Sequence, residues 1–84
     1  MSAADWAEGP DGLMRTFRFA GFPEAFAFMT RVAFEAERLN HHPEWTNVHG
    51  TVHIRLRTRD AGGTVTARDR ALAAAIDVIA KGRE

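Results

Sequence analysis

Glu44-Trp45-Thr46-Asn47-Val48-His49-Gly50-Thr51-Val52-His53-Ile54-Arg55-Leu56-Arg57-Thr58-Arg59 carries the strand signal from which the architecture follows. Val52, Ile54 and Leu56 alternate with His53, Arg55 and Arg57, the period-two pattern of a strand with one face on a core and the other in water. The strand read here runs from Thr51 to Arg59. A shorter one, Trp45 to Val48, precedes it, and His49-Gly50 joins the two. A two-residue loop would pair Val48 with Thr51 and put Val48 on the polar face. A three-residue loop, His49-Gly50-Thr51, pairs Val48 with Val52 and Thr46 with Ile54. That register keeps the apolar set on one side and is the one expected, since a one-residue slip reverses every side chain.

Upstream, Pro23 suits the first turn of a helix, and no further breaker occurs before Leu39. At 100° per residue Phe22, Phe26, Met29, Ala33 and Ala36 form one stripe, and Phe28, Val32 and Leu39 widen it to an arc of about 160°. Phe34 falls outside the arc, as a chance exposure or a subunit contact. Asn40 can close this helix, and Pro43 prevents it from resuming. Before it, Leu13 to Ala20 alternates as a strand whose first half is expected near an edge; Arg15 falls on its apolar side. Gly9-Pro10-Asp11-Gly12 reverses the chain from a short strand at Asp5–Glu8. Beyond the loop at Ala61-Gly62-Gly63, Thr66 and Asp69 form a short capping box for a second helix. That helix repeats Leu72, Ile76 and Ile79 at i, i+4 and i+7, and Gly82 ends it. The order ββαββα predicts an α+β, two-layer fold: a four-stranded antiparallel sheet with two helices on one face.

Eighty-four residues predict one domain, 1–84. A chain of this size buries only about 60–65% of the surface it exposes unfolded, so some supplement to the core is expected. With no cysteine, disulfides and thiolate metal sites are excluded, and self-association is the expected supplement. Eleven basic residues balance eleven acidic ones, which argues against a nucleic-acid partner. The alternating Arg55, Arg57 and Arg59 read first as a solvated strand face, with phosphate binding as the weaker alternative. No apolar run approaches a membrane span, and the start of the chain carries no signal pattern, so no membrane and a cytoplasmic location are expected.

All four histidines fall between positions 41 and 53. Imidazole titrates near neutrality and can give or take a proton there. His41 and His42 follow a helix end, with Pro43 fixing the chain beyond them, and His53 stands on the polar face of the last strand. His49 occupies the turn tip and reads as an exposed surface residue. Adjacent histidines cannot easily turn both rings to one ion, so no metal is expected.

Glu37-Arg38-Leu39-Asn40-His41-His42-Pro43-Glu44-Trp45, followed by Asn47-Val48 and Val52-His53-Ile54, resembles the signature of the pterin-4a-carbinolamine dehydratases. The likeness continues upstream through Phe26–Ala33, downstream to Arg68-Asp69, and less strictly back to Trp6. The resemblance implies dehydration of a 4a-hydroxytetrahydropterin to the quinonoid dihydropterin, with no metal or cofactor. It makes His41 and His42 the candidate acid–base pair, their roles unassigned, and His53 the residue that completes the site. Glu37, one helical turn before His41, is implied as an orienting or ring-holding group. Pro43, Trp45, Arg68 and Asp69 are the further substrate-binding candidates, with a purely capping role as the rival for Asp69. The animal members' extra N-terminal helix is not expected here, and the loop at Ala61–Val65 is longer than the family pattern. Members associate as dimers through sheet edges and as tetramers through helices, so a homodimer or homotetramer is implied. Some also serve a homeodomain transcription factor as a dimerisation cofactor. The alternative reading is therefore a non-enzymatic assembly or coactivator-like scaffold on the same fold.

Overall fold

The computed structural model describes residues 5–82. Its elements are β1 (Ala7–Gly9), β2 (Gly12–Arg18), α1 (Phe22–Leu39), β3 (Glu44–Val48), β4 (Thr51–Leu56) and α2 (Ala67–Lys81), with a 3-10 turn at Arg59–Ala61. The sheet order is β1-β2-β4-β3 with every pair antiparallel. Both helices cover one face, so the expected ββαββα architecture is the one observed. No helix among the described residues is long and apolar enough to cross a membrane.

Strand parity sets the covered face. Leu13 and Phe17 of β2 and Val52, Ile54 and Leu56 of β4 are buried there. They meet Ala25, Phe28, Val32 and Ala36 of α1 and Leu72, Ala73 and Ile76 of α2. In α1 only half of the expected arc is covered. Phe22 and Phe26 remain about half exposed, and Phe34 is 71% exposed. The buried line is centred on Phe28 and Val32, because α2 packs beside α1 on that side.

Arg15 does face the helices, and its charge is met there. Its guanidinium lies 4.4 Å from the Phe17 ring and donates to Asp77 of α2 at 2.6 Å, while Trp6 Nε1 donates to the same carboxylate at 2.9 Å. A cation among core residues is tolerable when it is paired and hydrogen-bonded in this way.

Three local expectations are corrected. The β3–β4 hairpin uses the two-residue loop: Val48 pairs with Thr51 and Thr46 with His53. Val48 therefore points to the open face and is 56% exposed. The inward positions of β3 are Trp45 and Asn47, and Asn47 donates its amide to the carbonyls of His49 (3.0 Å) and Thr51 (2.9 Å). Secondly, β1 flanks the first half of β2, pairing Ala7 with Met14 and Gly9 with Gly12, so among the described residues the second half is the one without a strand partner on that side. Thirdly, β4 stops at Leu56, which places Arg57 and Arg59 beyond the strand.

The turn before β2 makes one strict demand. Gly12 has φ +118°, and a Cβ there would sit 2.4 Å from the Leu56 carbonyl oxygen. Gly12→Ala combines a forbidden φ with a backbone clash and is expected to cost at least about 2 kcal/mol. Urea unfolding of the variant checks this; a loss under about 0.5 kcal/mol would contradict the placement of the turn.

Candidate active site

The site starts where α1 stops. Asn40 takes a left-handed conformation (φ 52°), and its N–H together with that of His41 returns to the carbonyls of Ala36 and Glu37. This closes the helix and turns His41 inward, where only 7% of it is exposed. Pro43 then directs the chain into β3.

His41 meets Asp69, which is fully buried in the first turn of α2. The His41 Nε2–Asp69 Oδ1 distance is 2.6 Å. The other carboxylate oxygen, Oδ2, accepts from Thr58 Oγ1 at 2.8 Å and from the Thr66 backbone N–H at 2.9 Å. Thr58's single hydroxyl proton goes to Asp69, so at the 2.7 Å contact between the two threonines Thr66 is the donor. Burial on its own raises the Asp69 pKa. The His41, Thr66 and Thr58 hydrogen bonds and the His41 charge outweigh it and hold the carboxyl below its ordinary 3.8. An ionised carboxylate only accepts, so His41 carries a proton on Nε2 and Nδ1 is the nitrogen left over. Asp69 is thus at once a helix cap and the anchor of His41.

His42 is exposed, and its Nε2 lies 3.1 Å from Glu37 Oε1. Glu37 therefore contacts His42 rather than His41. Both side chains are well solvated, 62% and 81% exposed, so the contact orients the ring without adding much stability. Arg68 spans the two helices, donating Nη2 to the Asn40 carbonyl at 3.0 Å.

His41, His42, Pro43 and Arg68 line one recess of about 380 Å³, which Asn40, Glu44, Arg57, Arg59 and Asp60 complete. His53 lines a different recess, on the open face of the sheet, with Thr16 and Arg55; Trp45 borders that recess from β3 while its ring packs against the core. There His53 Nδ1 lies 2.8 Å from Thr16 Oγ1 on the neighbouring strand. Glu44 borders both recesses. Within one chain, then, the structure gathers His41, His42, Pro43, Arg68 and Asp69, sets Glu37 at the rim, and leaves His53 and Trp45 apart. Strand parity puts His53 on the polar face, as observed, but that face is not the one onto which the helix end opens.

Sequence reasoning passed over Thr58, buried at 3% exposure, and the Glu44 cluster. Glu44 accepts from Arg57 Nε at 2.8 Å and lies near Arg59 (3.7 Å) and Arg55 (4.0 Å). The Arg57 hydrogen bond, which outweighs the opposing burial, and the three guanidinium charges hold its carboxyl below the ordinary 4.5. The usable signal was the acid after Pro43 opposite three alternating arginines.

The fold and the recess together define a small α+β domain that presents a carboxylate-anchored histidine and a solvated one at a helix end. A sequence profile described as Pterin 4 alpha carbinolamine dehydratase matches residues 1–79. The chain belongs to that family. It is 60% identical over 68 residues to a protein of Opitutus terrae, covering 81% of this chain and 70% of that one. With a Rhodopseudomonas palustris protein it is 57% identical over 81 residues, covering 94% and 79%. Both relatives carry the name "Putative pterin-4-alpha-carbinolamine dehydratase". Among solved structures, a transcriptional coactivator/pterin dehydratase from Brucella melitensis superposes with a TM-score of 0.83 at 36% identity, covering 90% of this chain and 82% of that one. A pterin dehydratase-like protein identified as a RuBisCO assembly factor in the alpha-carboxysome gives 0.75 at 25% identity, covering 90% and 89%.

Proposed function

We propose that this protein is an enzyme, a lyase that removes water from a 4a-hydroxytetrahydropterin to give the quinonoid dihydropterin in cytoplasmic pterin recycling. The observation that carries the reading is the buried Asp69–His41 pair lining one recess with His42. The C4a–O bond breaks as the hydroxyl takes a proton and leaves as water. N5 gives up its proton, and its electrons close the new C4a=N5 double bond. One imidazole must therefore arrive protonated and the other neutral, and general acid–base catalysis of this kind contributes about 10²–10⁴-fold. Asp69 keeps His41 in one tautomer and orientation. His42 exchanges protons with solvent, and Pro43 and Arg68 bound the substrate. His53 and Trp45, in the other recess, are left out of the acid–base pair.

Stopped-flow mixing with a chemically generated 4a-hydroxytetrahydropterin tests the proposal. The expected result is decay faster than the spontaneous reaction and first order in protein. Decay at the spontaneous rate at every protein concentration would overturn it.

A second reading, a non-enzymatic assembly role, is favoured by Phe22, Phe26 and Phe34, which α1 leaves exposed, and by the assembly and coactivator names of the two structural neighbours. Copies of this chain are one occupant of that surface, as a homodimer or homotetramer. A stoichiometric foreign partner together with no dehydration would favour the scaffold.

A further inference from the structure

The recess beside His41 and His42 is walled on one side by guanidinium groups that do different things. Arg57 is spent: its Nε and Nη2 meet the two oxygens of Glu44 at 2.8 and 3.3 Å. Arg59, in the 3-10 turn that follows β4, approaches the same carboxylate only to 3.7 Å, at the oxygen Arg57 already holds. Its side chain is 82% exposed, and among the described residues it makes no contact of hydrogen-bond length. Arg68 uses Nη2 on the Asn40 carbonyl at 3.0 Å, which fixes the group at the recess, and its Nη1 lies 3.6 Å from the exposed Asp60.

A guanidinium has five N–H donors in a planar fork suited to phosphate or carboxylate oxygens. The recess thus offers unspent donors from two arginines, one on the turn after β4 and one on the first turn of α2, and His41 and His42 line it with them. The pterin ring system itself carries no anionic group to meet them. The recess, about 380 Å³, is within the range that holds a small ligand with a short side chain.

We propose that the substrate carries an anionic, phosphate-type group on its side chain, and that Arg59 and Arg68 bind it while the histidines act on the ring. This inference rests on the pterin reading above and adds its substrate class. Arg59 is the residue that sets the preference, because Glu44 engages Arg57 and leaves Arg59 open. Arg68 positions the same group from the first turn of α2.

Binding measurements test it without turnover. The probes are a 7,8-dihydropterin with a neutral hydroxyalkyl side chain, the same compound bearing a terminal phosphate monoester, and inorganic pyrophosphate. Each is titrated calorimetrically into wild type, Arg59→Ala and Arg59→Glu. The phosphorylated pterin is expected to bind wild type about 10-fold more tightly than the neutral one, as two solvated charge contacts allow. Arg59→Ala should reduce that preference several-fold, Arg59→Glu should abolish it, and 0.5 M salt should weaken it. Arg59 is too exposed for either variant to disturb the core. Equal affinity for the two pterins, or a preference unchanged in both variants, would overturn the inference and leave the pterin reading standing. If neither pterin binds while pyrophosphate does so in an Arg59-dependent way, the anion site is upheld and the failure falls on the pterin reading.

Discussion

Replacing His41 is expected to lower the protein-accelerated dehydration by about 10²–10⁴-fold, the range that a positioned acid or base supplies. Alanine would also leave the Asp69 carboxylate buried without its partner, which destabilises a protein through uncompensated charge. His41→Gln separates the two effects. Its amide N–H can still donate towards Asp69, yet it has no nitrogen that takes up a proton near neutrality. The expected result is a variant that melts within a few degrees of wild type and has lost the acceleration. His42→Ala removes a 62% exposed ring, so its loss of rate should come with little change in stability. A His41→Gln protein as fast as wild type would show that the buried ring is structural.

Asp69→Asn is the second large effect, and it acts through His41. The asparagine carbonyl can accept from Thr58 and Thr66 as the carboxylate does. Its NH2 then faces His41 Nε2, which must become an acceptor, and the ring proton moves to Nδ1. The recess would hold the wrong tautomer with nearly unchanged geometry. An analogous exchange behind a catalytic histidine costs about 10⁴-fold elsewhere, and a loss of 10²-fold or more is expected here. The stability cost should be smaller, about 1–3 kcal/mol for weakened charge-assisted hydrogen bonds. Nitrogen NMR of the His41 ring gives a readout that a merely structural role would not move: protonation at Nε2 in wild type and at Nδ1 in the variant. An unchanged tautomer with full activity would remove Asp69 from the mechanism.

Asp69 also makes a pH prediction of definite sign. Its carboxyl is held below its ordinary 3.8 in the folded chain. Folding therefore gains from the ionised form above that value, and the gain fades as pH falls through the lower, folded one. Wild-type Tm should drop below about pH 4, and Asp69→Asn should show a flatter dependence across the same window.

Element order was legible because each element carries its own period or cap: the 52/54/56 alternation, Pro23 and Asn40 around α1, Thr66 and Asp69 opening α2. What failed was long-range or one step removed from the pattern. The hairpin register is not legible in the sequence because Val48 has the side chain of a core residue. Asn47 takes the inward place instead and uses its amide on the loop carbonyls, which no hydrophobicity count registers. The covered half of α1 depends on where α2 lies, so Phe22 and Phe26 could not be told from Phe28 by angle alone. Arg15 looked like a break in β2 until Asp77, 62 residues away, supplied its partner.

The candidate site shows the same division. The adjacency of His41 and His42 and the helix end before them were local facts. The capping box exposed Asp69 as a special acid, although its grip on His41 is a tertiary contact. The alternation that put His53 on the polar face says nothing about which recess that face lines. Arg57 and Arg59 continue the alternation of a strand that stops at Leu56, so the pattern hides their place at the recess.

In the proposed mechanism the His41–His42 corner, and not the strand histidine, dehydrates the pterin. Stopped-flow decay of the 4a-hydroxy adduct, run side by side with wild type, His53→Ala and the His41→Gln/His42→Ala double variant, separates the two sites. The expected result is acceleration by wild type and by His53→Ala, and decay at the spontaneous rate with the double variant. A double variant that accelerates decay as well as wild type, or a His53→Ala protein that fails as completely as the double, would contradict it.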